Sequence, residues 1–67
     1  MLNITINGEP RQFSPGQNVA SVIEALALTG KRIAVERNDE IVPKSRHAST
    51  PLVSGDRLEI VVAVGGG

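Results

Sequence analysis

The chain of 67 residues lacks cysteine, tryptophan and tyrosine, and Phe13 is its one phenylalanine. Without cysteine it can form no disulfide, no thiolate metal site and no cysteine nucleophile, and its one histidine cannot build a zinc site of imidazoles. Nucleic acid is not an expected partner, because seven basic residues balance seven acidic ones and the aromatic rings that stack on single-stranded bases are scarce.

Long hydrophobic runs are also missing. The longest apolar run, residues 60–64, is far shorter than the roughly 20 residues of a membrane helix, and we recognise no secretory leader. We therefore expect a cytoplasmic protein that does not associate with membranes.

The N-terminal residues predict a β-hairpin. Apolar and polar residues alternate over 2–7, which places alternate side chains on one face of a strand. The apolar face carries Leu2, Ile4 and Ile6. Asn7-Gly8 favours the positive φ angles of a type I′ turn, and residues 9–13 return as a second strand. Pro10 lacks an N–H, so this second strand is expected at the edge of the sheet.

A helix is predicted over residues 18–29, where aliphatic side chains recur at the spacing of one helical face. These side chains are Val19, Val22, Ile23 and Leu26. Asn18 is the preferred N-cap, and Ser21 with Glu24 offers a second, later capping box. Gly30 suits the left-handed position after the helix.

The second half of the chain predicts more strands. Residues 33–36 indicate a short buried strand, Asn38-Asp39 the turn after it, and 40–42 another short strand, whereas 44–50 show no period and indicate a surface loop with at most an irregular helical turn. Ser54-Gly55-Asp56 indicates a turn, and 57–63 a last strand whose inner face carries Leu58, Ile60 and Val62. The first and last strands form the natural central pair, and they can lie parallel because the helix provides the crossover. This order predicts an α+β roll of the ubiquitin-like, β-grasp kind, a mixed sheet of four to five strands with one main helix on one face.

Three glycines, Gly65, Gly66 and Gly67, follow the last strand. Glycine stabilises no strand, so we expect a β-grasp domain over 1–64 and a flexible C-terminal tail over 65–67 that reaches about 10 Å. A carboxylate at Gly67 would need activation before acyl transfer, and the sequence offers no phosphate loop or catalytic set to perform it. We therefore expect a carrier modified by a separate enzyme rather than an enzyme, with no catalytic residue, metal ligand or bound cofactor of its own.

The chain as a whole resembles the ThiS family of sulfur carrier proteins of thiamine (thiazole) biosynthesis. The resemblance is carried by the order of its motifs: Asn3-Ile4-Thr5-Ile6-Asn7-Gly8-Glu9, Asn18-Val19-Ala20-Ser21-Val22-Ile23, Ile41-Val42-Pro43, Ser54-Gly55-Asp56 and Val61-Val62-Ala63-Val64-Gly65-Gly66-Gly67. It implies that Gly67 is adenylated and converted to a thiocarboxylate, with Gly65 and Gly66 threading the partner's active site. The implied partners are the adenylating enzyme ThiF, which uses ATP and magnesium, a sulfur-donating persulfide protein and the thiazole synthase ThiG.

Two alternatives remain open. The small subunit of molybdopterin synthase shares the fold and the thiocarboxylate, but that family tends to be longer and commonly has prolines before its Gly-Gly, where this chain has Val62-Ala63-Val64. A non-catalytic ubiquitin-like interaction module would have an incidental tail.

A docking surface is expected at Val61, Ala63 and Val64, because Val61 and Ala63 lie on the face of the last strand that points away from the core. His47 and its basic neighbours Lys44 and Arg46 are interpreted as a solvated surface loop.

Overall fold

The computed structural model describes residues 1–63, which form one mixed sheet covered by helices. The elements in chain order are β1 (Leu2–Ile6), β2 (Glu9–Phe13), α1 (Val19–Ala25), β3 (Ile33–Arg37), β4 (Glu40–Ile41), a 3₁₀-helix (Lys44–Ser49) and β5 (Arg57–Val62). The sheet order is β2-β1-β5-β3-β4. β1 and β5 pair in parallel at its centre, and the other neighbours pair antiparallel. This is the predicted β-grasp fold.

Two tight turns of the same kind close the hairpins of the sheet. Asn7 and Gly8 have φ angles of 52° and 83°, and Asn38 and Asp39 have φ angles of 51° and 71°. Positive φ at both central residues is the type I′ geometry, which matches the twist of the flanking strands. The predicted hairpin is confirmed, with Ile6 opposite Glu9 and Leu2 opposite Phe13, and β2 with Pro10 lies at the edge of the sheet as expected.

The N-terminus of α1 is fixed by a reciprocal pair of side-chain bonds. Asn18 is the N-cap as predicted, and its Oδ1 accepts from the N–H of Ser21 at 2.8 Å. The Ser21 Oγ in turn accepts from the N–H of Asn18 at 2.9 Å. Ser21 is thus the third helical residue of one capping box and not the start of a second box.

The C-terminus of α1 comes earlier than predicted. The N–H of Ala27 donates to the carbonyl of Glu24 and the N–H of Leu28 to that of Ile23, both at 3.0 Å. These are the two bonds of a Schellman motif, and the left-handed residue in it is Ala27, with φ of 59°. The prediction that the helix continues to Thr29 with Gly30 as its left-handed end is therefore wrong.

The core lies between α1 and the inner face of the sheet. Its buried members are Leu2, Ile4, Ile6, Val19, Val22, Ile23, Val35, Val42, Leu52, Leu58 and Ile60. The predicted inner face of β1 is here in full. Of the predicted inner face of β5, Leu58 and Ile60 are here but Val62 is not, and of the predicted helix face Leu26 only packs against the core from its margin.

The strand predicted over residues 33–36 is less buried than expected. Of β3 only Val35 is buried, because β3 lies next to the two-residue edge strand β4 and its outer face is open. The segment predicted as a surface loop with at most an irregular helical turn forms the 3₁₀-helix, which has no buried residue and packs beside α1.

Candidate functional site

The end of β5 presents an apolar outer face. Val61 is 64% exposed and lies directly across from Ala34 of β3, which is also exposed. Ala63 is exposed as well, and its N–H donates to the carbonyl of Arg32 at 2.9 Å, so the strand stays paired to its end. Val61 and Ala63 therefore have the exposure that the predicted docking surface requires. Val64, Gly65, Gly66 and Gly67 lie outside the described residues.

The same outer face is acidic next to these valine and alanine side chains. Glu36 and Glu59 are direct cross-strand partners in β3 and β5, two positions from Ala34 and Val61. Carboxylates placed opposite each other on one sheet face repel. A partner on this face would therefore meet an apolar patch beside two negative charges.

Asn7 fixes the other edge of β5. The backbone of β1 pairs with β5 as far as the N–H of Asn7, which donates to the carbonyl of Leu58 at 2.9 Å. At the next position the Asn7 side chain replaces the backbone of β1 as the partner of β5. Its Oδ1 accepts from the N–H of Ile60 at 2.8 Å and its Nδ2 donates to the Ile60 carbonyl at 3.1 Å. One amide side chain thus extends the ladder beyond the turn that ends β1.

Beyond Ile60, no strand among residues 1–63 pairs with this edge of β5. In a strand, the backbone N–H and C=O groups directed at a given neighbouring strand belong to every second residue. Those of Val62 are therefore directed to the same side as those of Ile60, but β1 has already ended there. A groove of about 250 Å³ lies here, lined by Ile6, Asn7, Glu9, Arg11, Leu26, Leu28, Ile60 and Val62. Val62 is 38% exposed because it lines this groove, although it shares the inner face with Leu58 and Ile60 as predicted.

The start of β5 is held by Asp56, a buried residue that is 4% exposed. Its carboxylate accepts from the Arg37 Nε at 3.0 Å, the Asn38 Nδ2 at 3.1 Å and the Val53 N–H at 2.9 Å. Burial of Asp56 disfavours its charge, but the bonds from Val53, Arg37 and Asn38 outweigh this and hold the pKa of Asp56 below its ordinary value. Asp56 therefore joins the β3–β4 turn to the loop before β5.

Sequence reasoning missed this role of Asp56, although the Ser54-Gly55-Asp56 turn was recognised. The available signal was an aspartate at a glycine turn, where carboxylates commonly accept backbone N–H groups. The interpretation of His47 as a solvated loop residue also needs correction. Its ring is half-buried, and Nε2 lies 3.1 Å from the carbonyl oxygen of Val42.

Within residues 1–63, no group of three or more histidine and carboxylate side chains is placed to hold a metal ion. No helix in this part of the chain is long and apolar enough to cross a membrane.

Comparison with known proteins gives one consistent result. The model of the ThiS family matches residues 4–67. A thiazole synthase of Paramagnetospirillum magneticum is 46% identical over 66 residues, which are 98% of this chain and 20% of that protein. The sulfur carrier protein ThiS of Bacillus subtilis is 39% identical over 49 residues, covering 73% of this chain and 74% of that one.

A solved structure shows the same fold. The crystal structure of the thiamine biosynthesis protein ThiS from Geobacter metallireducens superposes with a TM-score of 0.83 at 29% identity, covering 98% of this chain and all of that one. The chain spans about a fifth of the length of the thiazole synthase that it matches, so it is similar to one segment of that larger protein.

Proposed function

The chain belongs to the ThiS family, and we propose that it is a sulfur carrier protein of thiamine biosynthesis. The observation that carries the proposal is the family match over residues 4–67, which includes all of the described sheet except the first two residues of β1, and the glycines after it. The relative from Bacillus subtilis bears the name of a sulfur carrier protein.

In the proposed cycle, the carboxylate of Gly67 is the group that carries sulfur. A separate adenylating enzyme of the ThiF kind, using ATP and magnesium, joins the carboxylate to AMP and releases pyrophosphate. A persulfide sulfur on a donor protein then attacks the acyl carbon and AMP leaves. A thiol splits the resulting acyl disulfide, which leaves a thiocarboxylate on Gly67 and a disulfide on the donor side.

The chain's own part in this cycle is to present the acyl group. Glycine has no Cβ, so Gly65 and Gly66 would fit a slot that larger residues block. Val61, Ala63 and Val64 would dock on the partner next to that slot, with the apolar exposure of Val61 supporting this role.

A thiazole synthase of the ThiG kind is the proposed acceptor of the sulfur. The support is that a thiazole synthase contains a segment 46% identical to this chain, which indicates that the two parts work together. As a separate chain, the carrier would bring its thiocarboxylate to the synthase by docking.

Intact mass spectrometry tests the proposal. The full chain is incubated with ATP, magnesium, a persulfide donor, a thiol and a ThiF-type enzyme, beside a matched chain that lacks Gly67. We expect a mass increase equal to the exchange of one oxygen for sulfur in the full chain alone. If neither an adenylate nor sulfur appears while the enzyme modifies a control carrier, the chain is an interaction module instead.

A further inference from the structure

A second groove lies on the opposite side of the molecule from the outer sheet face. It has a volume of about 570 Å³ and runs between α1, the loop after α1 and the 3₁₀-helix. Its lining residues are Ala20, Ile23, Glu24, Leu28, Thr29, Gly30, Lys31, Arg32, Ile33, Lys44, His47 and Ala48. We name it the helix groove. None of these residues belongs to the docking surface at the end of β5.

The helix groove gathers positive charge in a chain whose formal net charge is zero. Lys31, Arg32 and Lys44 line it, against the single carboxylate of Glu24. The ion pairs found within residues 1–63 involve other cations, namely Arg11, Arg37 and Arg57. The three lysine and arginine groups of the groove are therefore available to an anionic partner.

The apolar part of the helix groove forms its floor. Ile23 is buried, Leu28 and Ile33 are half-buried, and all three belong to the core or pack against it. Lys31, Arg32 and Lys44 are exposed and stand at the rim. An apolar centre surrounded by a polar rim is the usual anatomy of a protein interface.

A small charged ligand fits this arrangement less well than a polypeptide does. Small-molecule sites generally place a few orienting polar groups inside the pocket. Here the side chains of the floor, Ile23, Leu28 and Ile33, carry no polar atom, and the charged groups stand at the rim. His47 also lines the groove, and its Nε2 lies 3.1 Å from the carbonyl oxygen of Val42.

We propose that the helix groove binds an acidic segment of a partner protein, which inserts an aliphatic side chain over Leu28 and Ile33 and places carboxylates against Lys31, Arg32 and Lys44. The inference goes beyond the proposed carrier function and does not depend on it. The helix groove and the docking surface share no residue.

The test is a nuclear magnetic resonance titration of the full ¹⁵N-labelled chain with a capped peptide, Glu-Leu-Glu-Glu-Leu-Glu-Glu. The matched peptide has glutamine in place of every glutamate. We expect the acidic peptide to shift the amide signals of Leu28, Lys31 and Lys44 and to leave Val61 unmoved, with binding that weakens as salt is added. The glutamine peptide should give no saturable shift.

Charge variants locate the contact. Lys31→Gln combined with Lys44→Gln should weaken acidic-peptide binding about fivefold, the effect of two exposed ion pairs. Arg46→Gln is the matched control, because Arg46 is an exposed cation of the same 3₁₀-helix that does not line the groove. The removed charges are exposed, so all three substitutions should leave the fold intact.

Three results would overturn the proposal. The first is that the acidic peptide shifts no amide signal of the groove. The second is that Arg46→Gln weakens peptide binding as much as the Lys31→Gln, Lys44→Gln double variant does. The third is saturation of the same signals by inorganic phosphate or acetate at the peptide's concentration, which would make the groove a site for small anions.

Discussion

The side-chain amide of Asn7 forms two hydrogen bonds with the backbone of Ile60, one in each direction. The two residues are 53 positions apart, yet the amide occupies the place that the next residue of β1 would have filled. Asn7 thereby serves both the type I′ turn, with its positive φ, and the strand that leads to the glycines.

Asn7→Gly should separate these two roles. Glycine accepts the φ of 52° but has no amide, so only the bonds to Ile60 are lost. We expect the free energy of unfolding to fall by about 1–3 kcal/mol, the range for two net hydrogen bonds. Hydrogen exchange should show faster exchange at the Ile60 N–H than in the wild type, and unchanged protection of Ile60 would contradict the proposed role.

Ala27→Gly should stabilise the domain. Ala27 holds a left-handed φ of 59° at the end of α1, a conformation that costs an L-residue about 1 kcal/mol and costs glycine little. Ala25→Gly is the matched control, because Ala25 is the last residue of α1 proper and glycine there should destabilise by roughly 0.5–1 kcal/mol. Thermal melts of the two variants should move in opposite directions, and a shift in the same direction would refute the Schellman assignment.

Asp56 should make the domain sensitive to acid. Its pKa is lowered in the folded protein, so its ionised form stabilises the fold at pH values above the ordinary aspartate value of about 3.9. That stability is lost as the pH falls through the lowered folded pKa. Urea melts from pH 6 to about pH 2 should show this loss, since acid protonates a carboxylate that accepts hydrogen bonds from three residues, Arg37, Asn38 and Val53.

Asp56→Asn should lower stability at neutral pH by about 1–3 kcal/mol and flatten its acid dependence. Asp39→Asn is the control, because Asp39 is exposed and pairs only with the exposed Arg57. If the unfolding free energy of Asp56→Asn falls with pH as steeply as that of the wild type, Asp56 is not the source of the acid sensitivity.

Substitutions at two neighbouring residues of β5 should have different effects, one on the stability of the fold and the other on partner binding. Ile60→Ala removes a buried side chain and should cost about 2–5 kcal/mol of unfolding free energy. Val61→Ala trims an exposed one and should change stability by less than about 0.5 kcal/mol while weakening association with the adenylating enzyme. Denaturant melts and a binding titration measure the two effects, and unaltered affinity in Val61→Ala would remove Val61 from the docking surface.

The glycines after β5 should tolerate no side chain if they enter a narrow slot. Gly66→Ala and Gly67→Ala should leave the thermal midpoint unchanged and reduce adenylation or sulfur transfer, as followed by intact mass. Gly65→Ala is informative in the same assay, since Gly65 is the glycine farthest along the chain from the carboxylate of Gly67. Full activity in the Gly66 and Gly67 variants would count against threading.

The layout of the fold could be predicted from the sequence because it depends on local patterns. Alternation in β1 and β5 indicated which side chains face inward, and the Asn7-Gly8 and Asn38-Asp39 pairs indicated both hairpin turns. The end of α1 was predicted wrongly, because Ala27 adopts the left-handed φ angle at the helix end. From sequence alone, Gly30 was the better candidate for that position, since glycine adopts positive φ at little cost.

The contacts that fix the site depend on residues far apart in the chain. Nothing near Asn7 indicates Ile60, and nothing near Asp56 indicates Arg37, because each bond arises only when the sheet has brought the segments together. The helix groove also depends on residues that are distant in sequence. Lys31 and Lys44 line the same groove because the 3₁₀-helix packs beside α1.

The central position of β5 also sets the order in which the domain can fold. β1 with β2 and β3 with β4 are hairpins that can form locally, but they do not touch each other within the sheet and are joined only through β5. Residues 1–56 alone would leave two separate hairpins with no common sheet. We therefore expect a single late, cooperative step in which β5 inserts, and a folding rate governed by closure of the long loop between β1 and β5.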